Sequence, residues 1–242
     1  MPVATVEFVN DQNLTAYLTN LSDPERAAHS RKYFKTDEGG YGQGDKFLGI
    51  RVPVLRKAVR LFRETSLSET RKLLKSEYHE IRLFSLLLLV HQFAKGDAGL
   101  REKIYTLYLK NTKYINNWDL VDSSAPYIVG GWLFDKKRSI LYELAISSRL
   151  WERRIAIMAT AYFIKNDQFD DTLKLSRMLI DDPEDLIHKA VGWMLREVGK
   201  RDLEVEEGFL KKHYKKMPRT MLRYSIEKFS NKRRQAYLNG EI

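Results

Sequence analysis

Apolar residues recur along most of the chain at spacings of three and four, which is the pattern of amphipathic helices. This pattern predicts helices over residues 67–75, 80–93, 100–109, 140–147, 152–164, 173–180, 186–198, 208–214 and 220–229. Asp23-Pro24-Glu25 predicts the start of a further helix that runs through Tyr33, and Pro53 predicts the start of the next. Segments rich in Gly, Asn, Asp and Pro separate these helices, and no alternation of apolar and polar residues indicates a strand. The fold is therefore predicted to be all-α.

Comparable positions near the start of successive helices are separated by 36, 36, 34 and 35 residues; they are Arg82, Trp118, Arg154, His188 and Arg223. A period of this length with two helices per unit is typical of helical repeat proteins. We predict an α-α superhelix, a curved right-handed solenoid of HEAT-like antiparallel helix pairs, in which these residues form a basic stripe along one concave surface. As the alternative, the basic and aromatic residues at these five positions occur there by chance. The regular succession of helix, turn and helix does not depend on which residues stand at those positions.

The repeats are predicted to belong to a single domain over residues 1–242, with an N-terminal helical region over 1–60, repeats over about 61–230 and a basic tail over 231–242. A loop interrupts the N-terminal region at residues 36–46, where four glycines occur between Thr36 and Asp45. No Gly-Lys-Ser or Gly-Lys-Thr follows it, so it is not a phosphate-binding loop of the Walker type.

The formal net charge is +10 and the sequence pI is about 9.5, which suits nucleic acid or another polyanion as partner; the alternative is a protein that is simply basic. The absence of cysteine excludes disulfides, cysteine-ligated zinc, iron–sulfur clusters and thiol catalysis. No apolar run approaches the roughly 20 residues that span a bilayer. The start, Met1-Pro2-Val3-Ala4, lacks the features of a secretory signal. We expect a protein of the bacterial cytoplasm or nucleoid, without a membrane partner.

The most informative motif is Asn-Asn-Trp-Asp-Leu-Val-Asp over residues 116–122. Trp118 and Asp122 are four residues apart, so on a helix they share one face, and a ring and a carboxylate so placed can address one ligand. In a chain of net charge +10, a carboxylate on a surface that binds a polyanion suggests chemistry at a DNA lesion. The alternatives are that Trp118 belongs to the core and that Asp122 caps the segment beginning at Ser123.

Three further motifs accompany this one: Phe-Leu-Gly-Ile-Arg-Val-Pro at 47–53, Trp-Glu-Arg-Arg-Ile-Ala-Ile at 151–157 and the stretch from Ile187 to Glu197. Together the four motifs resemble the AlkD family of DNA alkylation repair glycosylases. The resemblance extends over roughly Arg26 to Phe229. The resemblance implies HEAT-like repeats that grip duplex DNA in a basic concave channel. It also implies excision of positively charged N3- and N7-alkylated purines without base flipping. The glycine-rich stretch between Tyr33 and Phe47 is longer than the family pattern.

Matching the motifs implies a catalytic carboxylate at Asp122, cleft tryptophans at Trp118 and Trp193, and a catalytic-site arginine at Arg154. The residues expected to bind DNA are Tyr33, Arg51, Arg56, Lys189, Arg196 and Arg223. As alternatives, Arg154 pairs with Glu152 or an acid of a neighbouring helix, and Arg51 is only a solvated charge. Trp132 and Trp151 match no family position and are interpreted as structural.

The leading hypothesis is a monofunctional alkylpurine glycosylase that acts as a monomer, leaves an abasic site and needs neither metal nor cofactor. No Schiff-base lysine is expected, so the strand should stay intact. The first rival is a HEAT-repeat protein that binds DNA structure or damage without catalysis, and Asp122 distinguishes the two. The second rival is a protein–protein scaffold, which would show little duplex affinity and no steep salt dependence.

Overall fold

The computed structural model describes residues 11–242, and it confirms the predicted all-α fold. The helices are α1 (Asp11–Thr19), α2 (Pro24–Tyr33), α3 (Val52–Leu61), α4 (Leu67–Leu73), α5 (His79–Lys95), α6 (Ala98–Lys110), α7 (Trp118–Asp122), α8 (Gly131–Leu133), α9 (Ser139–Ala145), α10 (Leu150–Lys165), α11 (Asp170–Met178), α12 (Asp185–Arg201), α13 (Leu203–His213), α14 (Arg219–Ser225) and α15 (Asn231–Asn239). Short 3-10 turns lie at Thr112–Tyr114 and Ile226–Lys228, and a π turn lies at Pro126–Gly130. Within residues 11–242 the one extended pairing is an isolated bridge between Lys46 and Tyr78.

The chain divides into two compact units, one that ends at Ser124 and one from Ala125 to Ile242. The single domain over residues 1–242 stays a prediction. No helix of residues 11–242 is both long and apolar enough to cross a membrane. The interpretation of Met1-Pro2-Val3-Ala4 as lacking a secretory signal lies outside the described residues.

The first unit is organised around α5, against which α3, α4, α6 and α7 pack. Most of the 17 residues of α5 are buried, as its nearly continuous apolar sequence predicts. Each leucine or phenylalanine so buried contributes roughly 1.5–3 kcal/mol of hydrophobic free energy. The first turn of α5 is different, because His79, Glu80 and Arg82 are buried there although all three are polar. Their partners come from the loops that precede the helix and, for His79, also from Asp119 of α7.

In the second unit α10 contacts α12, and α12 contacts α14, while α9, α11 and α13 pack against this layer. The predicted helix–turn–helix rhythm is confirmed here. Two glycines permit close approach to a neighbouring backbone, because a Cβ at Gly192 would lie 2.4 Å from the Met221 carbonyl oxygen and one at Gly130 would lie 2.2 Å from that of Ala159. These distances exclude a larger residue unless the backbone moves.

Two segments after residue 200 are more helical than the sequence pattern predicted. Helix α13 begins at Leu203 and not at 208, because the Asp202 side chain accepts the Val205 N–H at 3.1 Å and caps the first turn. Of the residues 231–242 predicted as a basic tail, Asn231–Asn239 form helix α15. Tyr237 of this helix is buried and lies edge-on to Tyr214, with ring centroids 5.4 Å apart, so one aromatic anchor holds an otherwise polar segment.

Candidate functional site

Trp118 and Asp122 stand at the two ends of the short helix α7. The Asn117 side chain accepts the N–H of Trp118 at 2.8 Å and defines the start of the helix. Leu120 and Val121 are buried and hold the helix in the core, whereas Trp118 and Asp122 are both half-buried. The structure therefore places the ring and the carboxylate one helical turn apart on an anchored element.

The indole of Trp118 is held on its face and on its edge. Its ring stacks on Phe34, with centroids 5.3 Å apart and planes inclined by 21°, and meets the ring of Tyr33 edge-on at 6.0 Å. Its Nε1–H donates to the Tyr41 hydroxyl at 3.3 Å, and that hydroxyl donates to the Tyr33 carbonyl at 3.3 Å. Tyr41 lies in the glycine-rich loop predicted at residues 36–46, so this loop is part of the surroundings of Trp118.

A buried network of charged groups joins that loop to α5 and α7. Asp45 approaches His79 Nδ1 at 3.2 Å and accepts from Arg82 Nη2 at 2.7 Å, while His79 Nε2 lies 2.8 Å from the Asp119 carboxylate. Asn116 donates to Asp45 at 3.3 Å. The side chains of His79, Arg82 and Asp45 are only 2%, 5% and 6% exposed. The network fixes both the loop that contacts the Trp118 ring and the helix α7 that carries Trp118.

The same contacts set the protonation of this network. Burial opposes the charged form of His79, but the hydrogen bonds to Asp119 and Asp45 outweigh it and raise the pKa of the imidazole to about 9. Burial also opposes ionisation of Asp45, yet the hydrogen bond to His79 and the charge of Arg82 hold its pKa below the usual 3.8. At neutral pH the imidazolium therefore lies between two carboxylates.

A second buried acid holds the segment Phe47–Pro53 in place. The Glu80 carboxylate accepts the backbone N–H groups of Leu48, Gly49 and Ile50 at 2.8, 2.7 and 3.3 Å. Gly49 has φ +81°, and a Cβ there would lie 2.2 Å from the Asp23 carbonyl oxygen, so the position requires glycine. This arrangement presents Arg51 at the start of α3.

Asp122 lies close enough to a buried tyrosine for its charge to affect it. Burial raises the pKa of the Tyr108 hydroxyl, its hydrogen bond to Ser124 opposes that change, and the charge of Asp122 adds to it. The Tyr108 and Ser124 oxygens are 3.0 Å apart. Tyr108 is therefore a buried neutral hydroxyl close to Asp122, and Asp122 itself is half-buried.

Arg154 and Trp193 belong to the second unit. Arg154 is buried, with 5% of the residue exposed, and its Nη1 donates to the Leu186 carbonyl at 2.5 Å, in the first turn of α12. Trp193 lies farther along α12, is half-buried and donates from Nε1 to Glu197 at 3.0 Å. Arg154 thus contacts the start of the helix that carries Trp193.

The predicted basic stripe is only partly a surface feature. Arg82 and Arg154 are buried, and Arg82 donates to Asp45 and to the Ser76 carbonyl, so neither belongs to an exposed stripe. His188 is half-buried, and its Nε2 lies 2.5 Å from the Asp182 carbonyl oxygen. Arg223 is exposed. The prediction was wrong for the two arginines because repeat spacing identifies equivalent positions but not their exposure.

The predicted DNA-binding residues fall into two groups. Tyr33 is 59% exposed beside Trp118. Arg51, Arg56 and Arg223 are exposed and form no ion pair with any residue of the described part of the chain. By contrast, two predicted cations already have acidic partners: Lys189 pairs with Asp185 at 2.7 Å, and Arg196 pairs with Glu197 at 3.7 Å and with Glu227.

Comparison with known proteins adds a finding to this geometry. The family described as "DNA alkylation repair enzyme" matches residues 14–229. The chain belongs to this family. The helical fold agrees with that of a predicted DNA alkylation repair enzyme from Enterococcus faecalis, which is 17% identical with a TM-score of 0.69; the match covers 87% of this chain and 97% of that chain. It also agrees with the fold of AlkD2 from Streptococcus mutans, which is 16% identical with a TM-score of 0.53; that match covers 92% of this chain and 100% of the other. No curated protein sequence matches the chain. The resemblance stated from the motifs is thus confirmed.

The sequence motifs of this member of the DNA alkylation repair family did not identify several residues that surround the candidate site. They are Phe34, Tyr41, Asp45, His79, Glu80 and Asp119. One signal was available, because His79 and Glu80 open a helix that is otherwise apolar, and polar groups at such a place need buried partners. Nothing in the spacing indicated that Asp45 and Asp119 would supply partners to one imidazole, 34 and 40 positions away.

Proposed function

We propose that the protein is a DNA glycosylase that hydrolyses the N-glycosidic bond of positively charged N3- and N7-alkylated purines in duplex DNA and leaves an abasic site. Membership of the DNA alkylation repair family supports this proposal. The observation that carries it is the pair on α7, where Asp122 and Trp118 are both half-buried while Leu120 and Val121 between them are buried in the core. Following the family resemblance, the base is not flipped.

The chemistry fits a carboxylate better than a general acid. An alkylated purine already carries a positive charge, so it leaves without protonation. As the glycosidic bond lengthens, positive charge moves onto the deoxyribose in an oxocarbenium-like state. The Asp122 carboxylate would stabilise that charge and orient the attacking water, accepting its proton.

The aromatic and basic residues have separate tasks in this proposal. Trp118 and Trp193 contact the cationic base or the sugar, and each cation–π contact is worth about 0.5–2 kcal/mol. Arg154 supports catalysis by holding the first turn of α12, as its bond to the Leu186 carbonyl suggests. The exposed Arg51, Arg56 and Arg223, together with Tyr33, contact the phosphodiester backbone.

The test is release of methylated purine from a duplex that contains 3- or 7-methylpurines, measured by chromatography of the free base. Asp122→Asn should abolish release and leave duplex binding intact, and strands should break only after alkali treatment. Asp135→Asn, which removes an exposed carboxylate elsewhere, is the matched control and should release base normally. Binding without release by the wild-type protein would contradict the glycosylase and favour the non-catalytic DNA-binding protein. Weak binding that does not fall steeply with salt would favour the scaffold.

A further inference from the structure

The glycine loop, residues 36–46, has a defined conformation. Successive turns follow from the backbone bonds of Gly40 to the Asp37 carbonyl at 2.9 Å, Gln43 to the Gly40 carbonyl at 3.1 Å and Asp45 to the Gly42 carbonyl at 3.0 Å. Two further glycines of the loop, Gly39 and Gly44, have φ +75° and +84°, so glycine is favoured at those points. The glycines therefore shape the loop and do not simply loosen it.

The loop is also tied to the rest of the first unit. The Gly42 N–H donates to the Lys35 carbonyl at 3.2 Å, and a Cβ at Gly42 would lie 2.3 Å from the Phe34 carbonyl oxygen. At its end, Asp45 enters the buried network with His79 and Arg82. The backbone of the loop is thus packed directly on the residue whose ring stacks on Trp118.

This loop delivers Tyr41 to the indole of Trp118. The hydroxyl of Tyr41 accepts from the indole N–H and donates to the Tyr33 carbonyl, so its donor and one acceptor site are both used. Phe34 covers one face of the same indole. A half-buried tryptophan that is packed on one face can still rotate about its side-chain bonds, and the hydrogen bond at its edge opposes that rotation.

We propose that Tyr41 is a positioning residue, through which the glycine loop fixes the ring of Trp118 relative to Asp122. The ring contact with the cationic base and the charge of Asp122 near the sugar then act on one lesion at the same time. This role rests on the proposed glycosylase function, although the positioning itself is a property of the free protein. Loss of a single neutral hydrogen bond at the site corresponds to a rate decrease of about three- to tenfold.

The first experiment measures positioning without any substrate. In ¹⁵N-labelled protein the four tryptophans give four indole N–H signals, and Trp118→Phe assigns one of them. Tyr41→Phe removes only the hydroxyl, so it should shift the Trp118 signal and speed its hydrogen exchange while the other three stay in place. The control is Tyr142→Phe, which removes a hydroxyl bonded to Asp171 at 2.5 Å in the second unit and should leave the Trp118 signal unchanged. A Trp118 signal that Tyr41→Phe does not move would overturn the proposal.

The second experiment measures the consequence for excision in single-turnover reactions on methylated duplex. Tyr41→Phe should lower the excision rate about three- to tenfold without changing duplex affinity, and it should have no further effect in a Trp118→Phe background. Gly42→Ala should act in the same direction, because its Cβ would meet the Phe34 carbonyl. Gly44→Asn is the matched loop control, since asparagine tolerates positive φ and no atom lies within 4 Å of that Cβ.

The outcomes separate the two proposals. Absence of excision by the wild-type protein contradicts the glycosylase, while the indole signal still decides whether Tyr41 positions Trp118. A shifted indole signal with wild-type excision by Tyr41→Phe contradicts the catalytic consequence. An equal rate decrease in the Trp118→Phe background shows that Tyr41 acts by another route and also overturns the proposal.

Discussion

His79 Nε2 lies 2.8 Å from the carboxylate of Asp119, and this contact joins the first residue of α5 to the helix that carries Trp118 and Asp122. The other ring nitrogen faces Asp45 at 3.2 Å, so one imidazolium connects two segments that are far apart in sequence. The site on α7 is thus supported by a buried ion network and not by apolar packing alone. Such a network makes the stability of the protein depend on pH.

The first prediction concerns His79. Its pKa is raised to about 9 in the folded protein from an ordinary value of 6.5, so the folded state binds the proton more tightly than the unfolded state. The resulting stabilisation is complete below pH 6.5 and is lost as the pH rises through 9. His79→Asn should therefore lower the free energy of unfolding by about 1–3 kcal/mol at pH 6 and by less at pH 9.5.

Urea denaturation at these two pH values checks this prediction. His29→Asn is the control, because His29 is exposed, and this variant should keep the pH dependence of the wild type. A difference between His79→Asn and wild type that is equal at pH 6 and pH 9.5 would show that the imidazole acts by packing and not by its charge.

The second prediction concerns Glu206, which is buried on α13 with Oε1 lacking a hydrogen bond to any described residue. Burial and then the charge of Glu207 raise its pKa to about 8, against an opposing effect of Arg196. The folded state therefore favours the protonated acid, and stability falls as the pH rises from 4.5 through 8. Glu206→Gln should remove that fall and stabilise the protein by roughly 1–3 kcal/mol at pH 8.5.

Thermal or urea unfolding at pH 5 and pH 8.5 measures this effect. Glu204→Gln removes an exposed carboxylate from the same helix and should change stability little at either pH. Destabilisation by Glu206→Gln at pH 8.5 would mean that the ionised carboxylate has a favourable partner in the folded protein.

The third prediction concerns the contact of α12 with α14. A Cβ at Gly192 would lie 2.4 Å from the Met221 carbonyl oxygen, so Gly192→Ala must separate the two helices and should destabilise the protein by about 1–3 kcal/mol. Gly208→Ala is the matched control, because Gly208 is helical and no atom lies within 4 Å of its Cβ. It should stabilise the protein by about 0.5–1 kcal/mol through helix propensity. Chemical denaturation of both variants gives the comparison, and similar changes in the two would exclude helix contact as the cause.

Local features of the structure could be predicted from the sequence, whereas contacts between distant segments could not. The 3.6-residue periodicity predicted α5, α10 and α12, and the four-residue spacing placed Trp118 and Asp122 together, because both depend on local geometry. The buried state of Arg82 and Arg154 depends on partners in other segments, and periodicity carries no information about such partners. The same holds for the glycine loop, whose composition predicted a loop but not the contact of Tyr41 with Trp118. Helix α15 was missed because a single buried residue, Tyr237, holds it.

The last prediction concerns duplex binding by the exposed arginines. Each phosphate contact that a cation makes adds about 0.9 to the slope of log affinity against log salt. Arg51 and Arg56 are exposed and pair with no acid of the described residues, so Arg51→Gln with Arg56→Gln should weaken binding and reduce that slope by about 2.

The matched control is Lys136→Gln with Lys200→Gln, which removes the same charge from lysines that already pair with Asp135 and Glu197. Fluorescence anisotropy with an undamaged duplex at several salt concentrations measures both slopes. Equal reductions in the two double variants would show that duplex affinity follows net charge alone and would remove Arg51 and Arg56 from the DNA-binding surface.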